Sequence, residues 1–499
     1  MNKLASPLAA ATRRFGDLPA FIAGDITLSW RDTKIAVDLL AERLREHGVR
    51  TGDRIAVIEG NRIEVPLLIL ANLQIGAVTV LLSPRFPAAT LSSMRTDAGC
   101  THRALWPDSR TPSGSSQPLE TRLPSIRELL SQIEHPRPDT TPRETPTVDP
   151  DQPATVVFTS GTSGTPRAAL HSIGNHYFNA LASNENLPVM PGDRWLLSLP
   201  LYHVGGLSVV FRCLLAGAAV VFADSATELT GPIIRDQITH LSMVPTQLRR
   251  LLAESDLPAA ASSLKAILLG GGPIPKPLLN QALSAGLPVR VTYGLTEMTS
   301  QVATGTTQEP DRPRVLSHCQ VKIADDGEIL TRGKTLFLGY VAGAEVHLPL
   351  DPDGWYHTGD IGSVDDTGAL SVRGRKDNMF VSGGENIHPE AIESALCAIE
   401  GIDEAIVVPV PDAEFDARPV AFIRYRSDIN LSNAHSELPE ETRFRYDHVS
   451  LSGELTKTLP RFMLPIAFHP WPHGYSPSGL KTDRAFFIQL AKKLHRPRT

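Results

Sequence analysis

The chain has 499 residues, of which 41% are hydrophobic and 20% charged, and 48 Lys and Arg against 54 Asp and Glu leave a formal net charge of −6. That length exceeds one ordinary domain and supplies large cores. The acidic balance, with no basic stripe, gives no electrostatic case for nucleic acid.

At the N-terminus, Arg13 and Arg14 follow a short apolar patch instead of preceding it, a poor pattern for a secretory signal. Residues 20 to 90 alternate strand and helix patterns. Ile26–Trp30 reads as a strand, Asp32–His47 as an amphipathic helix ending at Gly48, Arg54–Ile58 as a strand, Arg62–Ile75 as a helix and Ala77–Leu82 as a strand. Strands separated by helices of this length predict βαβ units and a mainly parallel sheet. Ser83-Pro84-Arg85 is then a loop at a strand end, where α/β proteins bind ligands, and Arg85 is either a solvated charge or a carboxylate-binding residue. From Pro107 to Pro153 the composition shifts to Pro, Ser, Thr and charge, a surface connection interrupted by a short helix at Ile126–Ile133.

A strand over Thr155–Thr159 runs into Thr159-Ser160-Gly161-Thr162-Ser163-Gly164 and on to Thr165-Pro166-Arg167. Glycines let backbone N–H groups approach an anion, hydroxyls add donors, and Arg167 adds a permanent charge, so the stretch reads as phosphate-handling chemistry, the alternative being a Ser/Thr/Gly surface turn between a strand and the next element. It is not a P-loop, because Thr165-Pro166-Arg167 stands where Lys-Ser/Thr is required. Asp193–Tyr202 reads as a buried strand that delivers His203 to a Gly205-Gly206 turn, where the glycines let something approach closely; a helix over Leu207–Ala216 and a strand at Ala219–Phe222 follow.

His240–Leu248 is a strand end and a helix start, and Ala266–Leu269 runs into Gly270-Gly271-Gly272, bare backbone on which a purine or ribose can lie. The strand Val289–Val291 leads to Thr292-Tyr293-Gly294-Leu295-Thr296-Glu297, which offers a stacking aromatic, hydroxyls and a carboxylate suited to Mg²⁺ beside a triphosphate. Asp360, framed by Gly359 and Gly362 at a strand end, is suited to accepting bonds from both ribose hydroxyls. Arg424 to Pro460 is polar and fits no regular pattern. Cys100, Cys213, Cys319 and Cys397 are scattered without CxxC spacing, which points to buried thiols in a reducing, cytoplasmic setting, and no run reaches the roughly 18 apolar residues of a membrane helix.

Taken in order, the stretches at 159–167, Thr292–Glu297, Gly354–Gly362, Arg373–Glu393 and Ser476–Arg484 resemble the signature motifs of the adenylate-forming superfamily of acyl-CoA synthetases, luciferases and peptide-synthetase adenylation domains. Arg167 stands where that wording has Lys, Ala168 where it has Gly, and Leu480 intervenes before Lys481. The resemblance implies an α/β fold with a large N-terminal domain of stacked α/β subdomains over residues 1–376 and a small mobile α+β C-terminal domain over 377–499. It implies ATP, Mg²⁺ and CoA as cofactor and co-substrates. Thr159, Ser160, Gly161, Thr162, Ser163, Gly164 and Arg167 would hold phosphates. Gly270, Gly271, Gly272, Thr292, Tyr293, Gly294, Thr296, Asp360 and Arg375 would bind the nucleotide, and Glu297 would carry the metal. Gly383 and Gly384 would approach the pantetheine of CoA, Asp377 would be the hinge, and Lys481, Glu297 and His203 would be the catalytic residues.

Within that superfamily, the wording at Pro166–His171, Gly174-Asn175-His176, Leu199–Ser208 and Ser242–Leu248 most resembles the family of o-succinylbenzoate–CoA ligases of menaquinone biosynthesis. The implied substrate is an aromatic ring with two carboxylates, one reacting and one held by a cation, with Arg85 and His203 as the expected substrate contacts. The alternatives are another aryl- or fatty-acyl-CoA synthetase, an adenylating enzyme that loads a carrier protein, and a non-catalytic protein of the same fold. The chain's ending soon after Lys481 counts against carrier loading, and the presence of Glu297, Asp360 and Lys481 against a non-catalytic role. The expected partners are small molecules only, without nucleic acid or membrane insertion, and a homodimer is left open.

Overall fold

The computed structural model describes residues 3–109, 119–133, 146–159, 166–223, 229–425, 448–475 and 483–495. Two large sheets dominate the N-terminal part. In the first, the strands Pro153–Thr159, Val78–Leu82, Arg54–Ile58, His102–Leu105 and Leu119–Arg122 run parallel in that spatial order; Arg167–Ser172, Gly339–Ala342 and Glu345–His347 extend it antiparallel from the Pro153–Thr159 side. The second has a parallel centre of Val289–Leu295, Ala266–Leu269, His240–Met243, Arg194–Leu196, Ala219–Phe222 and Pro19–Ala23, with antiparallel strands at both edges.

The strands read as unbroken apolar runs because both of their faces are covered. Ile55, Val57, Leu81 and Val157 point into a core shared with the second sheet, whereas Ala56, Ile58, Val80, Val156 and Phe158 point the other way. The second sheet divides alike: Val220, Phe222 and Leu268 join the shared core, and Val221, Ile267 and Leu269 face a separate one. Between the sheets lie the helices Trp30–Glu46, Glu64–Ile75, Ile173–Asn186 and Val204–Ala216. The first begins two residues earlier than the sequence predicts, because Ser29 and Asp32 form a reciprocal capping box that ends the preceding strand at Ser29.

Cys319–Ile323, Glu328–Gly333, Tyr356–Val364 and Leu370–Arg375 make a four-stranded antiparallel sheet, and the chain then enters a small C-terminal body. This body has its own cores, drawn wholly from residues 380 onward. Val407, Ala421 and Ile423 pack against the helices Pro389–Cys397 and His448–Leu455, while Val408, Val410, Val420 and Phe422 pack against Phe487 and Ala491 of the helix Arg484–Leu494. Of the stretch that fits no pattern in the sequence, Arg424 and Tyr425 finish a strand, His448–Leu455 is a helix, and 426–447 lie outside the described residues. The two bodies touch where Arg249 Nε meets Asp403 Oδ1 at 2.7 Å. Among the described residues no helix is long and apolar enough to cross a membrane.

Candidate active site

Three motifs that lie far apart in sequence converge at the sheet ends. The strand Val289–Leu295 continues through the aromatic motif and ends in a 3-10 turn, Thr296–Met298, that carries Glu297. Tyr293 sits four residues before Glu297, and in the four-stranded sheet Tyr356 sits four residues before Asp360 on the same strand face. The structure joins these positions crosswise into two clusters, Tyr293 with Asp360, and Glu297 with Tyr340 and Tyr356.

In the first cluster, Tyr293 donates its hydroxyl hydrogen to Asp360 Oδ2 at 2.7 Å, and Arg375, the cross-strand partner of Asp360, donates to Oδ1 at 3.0 Å. Arg375 also reaches Asp377 at 3.3 Å. Burial alone would lower the Arg375 pKa, but the carboxylates of Asp360 and Asp377 outweigh it and raise it. Burial, followed by the Asp360 charge, holds the Tyr293 phenol protonated far above its ordinary range. The three nucleotide-binding candidates Tyr293, Asp360 and Arg375 are thus one hydrogen-bonded unit, adjoining the expected hinge at Asp377.

In the second cluster, Glu297 is 7% exposed and accepts a hydrogen bond from the Tyr340 hydroxyl, which lies 2.9 Å from the Tyr356 hydroxyl. Arg167 stacks on the Tyr340 ring at 4.1 Å and comes within 3.9 Å of Glu297. Thr159 ends the strand beside it, its buried hydroxyl without a hydrogen-bond partner among the described residues. Ser160, Gly161, Thr162, Ser163 and Gly164 lie outside those residues, as does Lys481.

The donor set fits Mg²⁺. Among the described residues no group of three or more His, Cys, Asp or Glu side chains forms a metal cage. Glu297 is a single buried carboxylate among hydroxyls and a guanidinium, and Mg²⁺ takes oxygen ligands, commonly one or two carboxylates completed by substrate phosphates.

Behind the site, His171 donates from Nε2 to the Thr296 carbonyl at 2.7 Å, and His176 bonds Thr155 at 2.8 Å while stacking on Phe211 at 4.3 Å. Asn175 caps its own helix with Ser172 and reaches the Lys334 and Leu336 carbonyls. His176 therefore braces the strand that ends at Thr159, and His171 the turn that carries Glu297. Burial lowers the pKa of both histidines.

The glycines divide by use. Gly270 is covered by Thr292, whose Cγ2 lies 2.7 Å from where a β-carbon would stand; Gly271, with φ of +81°, and Gly272 are exposed. Gly294 passes so close to the Ser300 carbonyl that a β-carbon would lie 2.0 Å from it. Gly383 and Gly384, with φ of +58° and +85°, form the turn between Phe380–Ser382 and Glu385–Ile387, as a two-residue hairpin with both residues left-handed requires.

At His203 the structure corrects the sequence reading. The strand stops at Leu196, His203 is the residue before the helix Val204–Ala216, and Gly205 and Gly206 lie inside that helix rather than in a turn. What approaches Gly206 is the protein's own backbone: a β-carbon there would stand 2.3 Å from the Pro200 carbonyl oxygen. Gly206→Ala is expected to destabilise by about 1–3 kcal/mol, because backbone cannot yield as a side-chain tip does; an unchanged denaturation midpoint would show the helix free to shift away.

Arg85 lies exposed on the loop after Val78–Leu82, its backbone N–H donating to Ser83 Oγ at 3.3 Å. The arginine that the sequence reading missed is Arg212, in the helix Val204–Ala216. It is 1% exposed, donates to Ser300 Oγ at 3.2 Å, lies over Trp195 at 5.3 Å, and pairs with no carboxylate among the described residues. Burial lowers its pKa to about 9. Its signal was available as the lone charge in the run Val209-Val210-Phe211-Arg212-Cys213-Leu214.

Two clusters strung along crossed strands, one suited to a ribose and one to phosphates and a cation, are the equipment of a nucleotide-activating enzyme. The chain belongs to the family of AMP-binding enzymes, whose model matches residues 8–341. Within it, the chain is similar to the 2-succinylbenzoate–CoA ligase of Salmonella typhimurium, 33% identical over 470 residues that cover 93% of each chain. Its fold matches that of the o-succinylbenzoate CoA synthetase MenE from Bacillus subtilis in complex with the acyl-adenylate intermediate OSB-AMP, with a TM-score of 0.81, 27% identity and 98% of each chain covered. It also matches MenE from Bacillus subtilis in complex with ATP and magnesium ion, with a TM-score of 0.77, 28% identity, and 94% of this chain and 96% of that one covered. The large N-terminal and small C-terminal bodies are the architecture of those enzymes.

Proposed function

We propose that the protein is an o-succinylbenzoate–CoA ligase, joining the acid to CoA at the expense of ATP. One carboxylate oxygen of the substrate attacks the α-phosphorus as the bond to diphosphate breaks, giving the acyl-adenylate; the CoA thiol then attacks the acyl carbon and AMP leaves. Tyr293, Asp360 and Arg375 orient the nucleoside, and Arg167 with Thr159 and the glycine-rich stretch after it holds phosphate oxygens. Glu297 would hold Mg²⁺, which neutralises charge on the phosphates. Lys481 stabilises the charge developing between carboxylate and phosphate. We place the domain boundary at 376/377, with Asp377 as the hinge and Gly383-Gly384 meeting the pantetheine arm. The cytoplasm is the proposed location, and a homodimer is a compatible assembly.

The observation that carries the substrate is Arg212. A buried guanidinium without a carboxylate partner is costly unless an anion arrives to pair with it, and the unreacted carboxylate of o-succinylbenzoate is such an anion. Arg85, standing in solvent, has less to offer, since exposed ion pairs contribute about 0–1 kcal/mol. The reading is tested by diphosphate release from ATP, Mg²⁺ and o-succinylbenzoate, set beside benzoate, coumarate and a medium-chain fatty acid, with and without CoA. Selective turnover of o-succinylbenzoate, completed to the thioester with CoA, is expected; preference for a monocarboxylic acid would leave a ligase with another substrate.

A further inference from the structure

We infer that Tyr340 is a positioning residue that sets both the metal-binding carboxylate and the phosphate-binding cation of this site. The inference rests on the reading of Glu297 as the Mg²⁺ ligand. Tyr340 stands on the strand Gly339–Ala342, paired with Ala169 two residues after Arg167. That register lays its ring beneath the Arg167 guanidinium and its hydroxyl against Glu297.

The Tyr340 hydroxyl donates to Glu297, and the Tyr356 hydroxyl, 2.9 Å from the Tyr340 oxygen, is also within hydrogen-bonding reach of Glu297, so two phenols hold the one carboxylate. Phe337 packs edge-on to both rings, at 4.8 Å from Tyr340 and 5.6 Å from Tyr356, and fixes their planes.

The same ring accounts for arginine at position 167. A planar guanidinium lies flat on a phenol face and still presents N–H groups at its edge, whereas an ammonium is a point charge on a flexible stem. Tyr340 thus couples two charges of opposite sign, each of which a magnesium–nucleotide complex would engage.

The test uses the full-length protein with ATP and Mn²⁺ as a spectroscopic stand-in for Mg²⁺. Calorimetry measures ATP binding without metal, and electron paramagnetic resonance measures Mn²⁺ binding to the ATP complex. Tyr340→Phe keeps the ring and loses the hydroxyl; Mn²⁺ affinity in the ATP complex is expected to fall about 10-fold, the lower end for loss of a residue that orients a metal ligand, with metal-free ATP affinity unchanged. Tyr356→Phe should act in the same direction by less. Tyr340→Leu also removes the platform under Arg167 and should weaken metal-free ATP binding in addition. If Glu297→Gln lowers Mn²⁺ affinity and Tyr340→Phe does not, even with a changed melting temperature, Tyr340 is structural only and the inference is overturned. If Glu297→Gln leaves Mn²⁺ affinity intact, the metal reading of Glu297 fails, and the role given to Tyr340 fails with it.

Discussion

Lys481→Ala is expected to lower the rate of acyl-adenylate formation on the order of 10³-fold while leaving thioester formation from supplied o-succinylbenzoyl-adenylate within a few-fold of the parent. The reason is where charge develops. In the first step a carboxylate meets a polyphosphate and negative charge concentrates on oxygens, so a single well-placed donor or cation contributes about 10²–10³-fold or more. In the second step a thiol replaces AMP on a carbon already activated, and the same charge is not being assembled. Diphosphate exchange reads the first half, and thioester formation from synthetic adenylate reads the second. Equal loss in both halves would contradict this division of labour.

The second large effect is expected at Arg212. Arg212→Met replaces a buried charge by an apolar side chain of similar length, and the apparent affinity for o-succinylbenzoate should fall by about 10²–10⁴-fold, the equivalent of roughly 3–5 kcal/mol for breaking a buried ion pair. The melting temperature of the free protein should hold or rise, because no carboxylate partner is lost among the described residues and an uncompensated buried charge is removed. Loss of binding together with gain of stability distinguishes a ligand-holding arginine from a structural one. If Arg212→Met binds normally and Arg85→Ala does not, the holder is the exposed loop residue.

Much of the site was legible because its chemistry lies in short contiguous stretches. Thr159 ends one strand, Arg167 begins the next and Glu297 follows the end of a third, whereas Asp360, expected at a strand end, lies in the middle of Tyr356–Val364; the structure brings Arg167 to Glu297 and Tyr293 to Asp360 and Arg375. Tyr340 and Tyr356 were not legible: they stand 43 and 59 positions beyond Glu297 on strands of different sheets, and only tertiary register brings them to it. The turn expected at Gly205-Gly206, after His203, was misread for a local reason. Paired glycines usually mark a turn, yet here Gly206 admits a backbone carbonyl against a helix, a use that local propensity does not reveal. The parallel sheets were legible in outline from the alternation of strand and helix patterns, whereas the order of their strands was not.

That order has a consequence for synthesis on the ribosome. In the second sheet the strand Pro19–Ala23 lies beside Ala219–Phe222, with Phe21 paired to Val220, so the first of these strands to emerge acquires this neighbour about 200 residues later. At about 5–20 residues per second, its apolar side chains wait on the order of 10–40 s. The antiparallel partner Ile26–Ser29 follows at once and can shield one edge of the waiting strand, while the other edge stays open to nascent-chain chaperones until Ala219–Phe222 arrives.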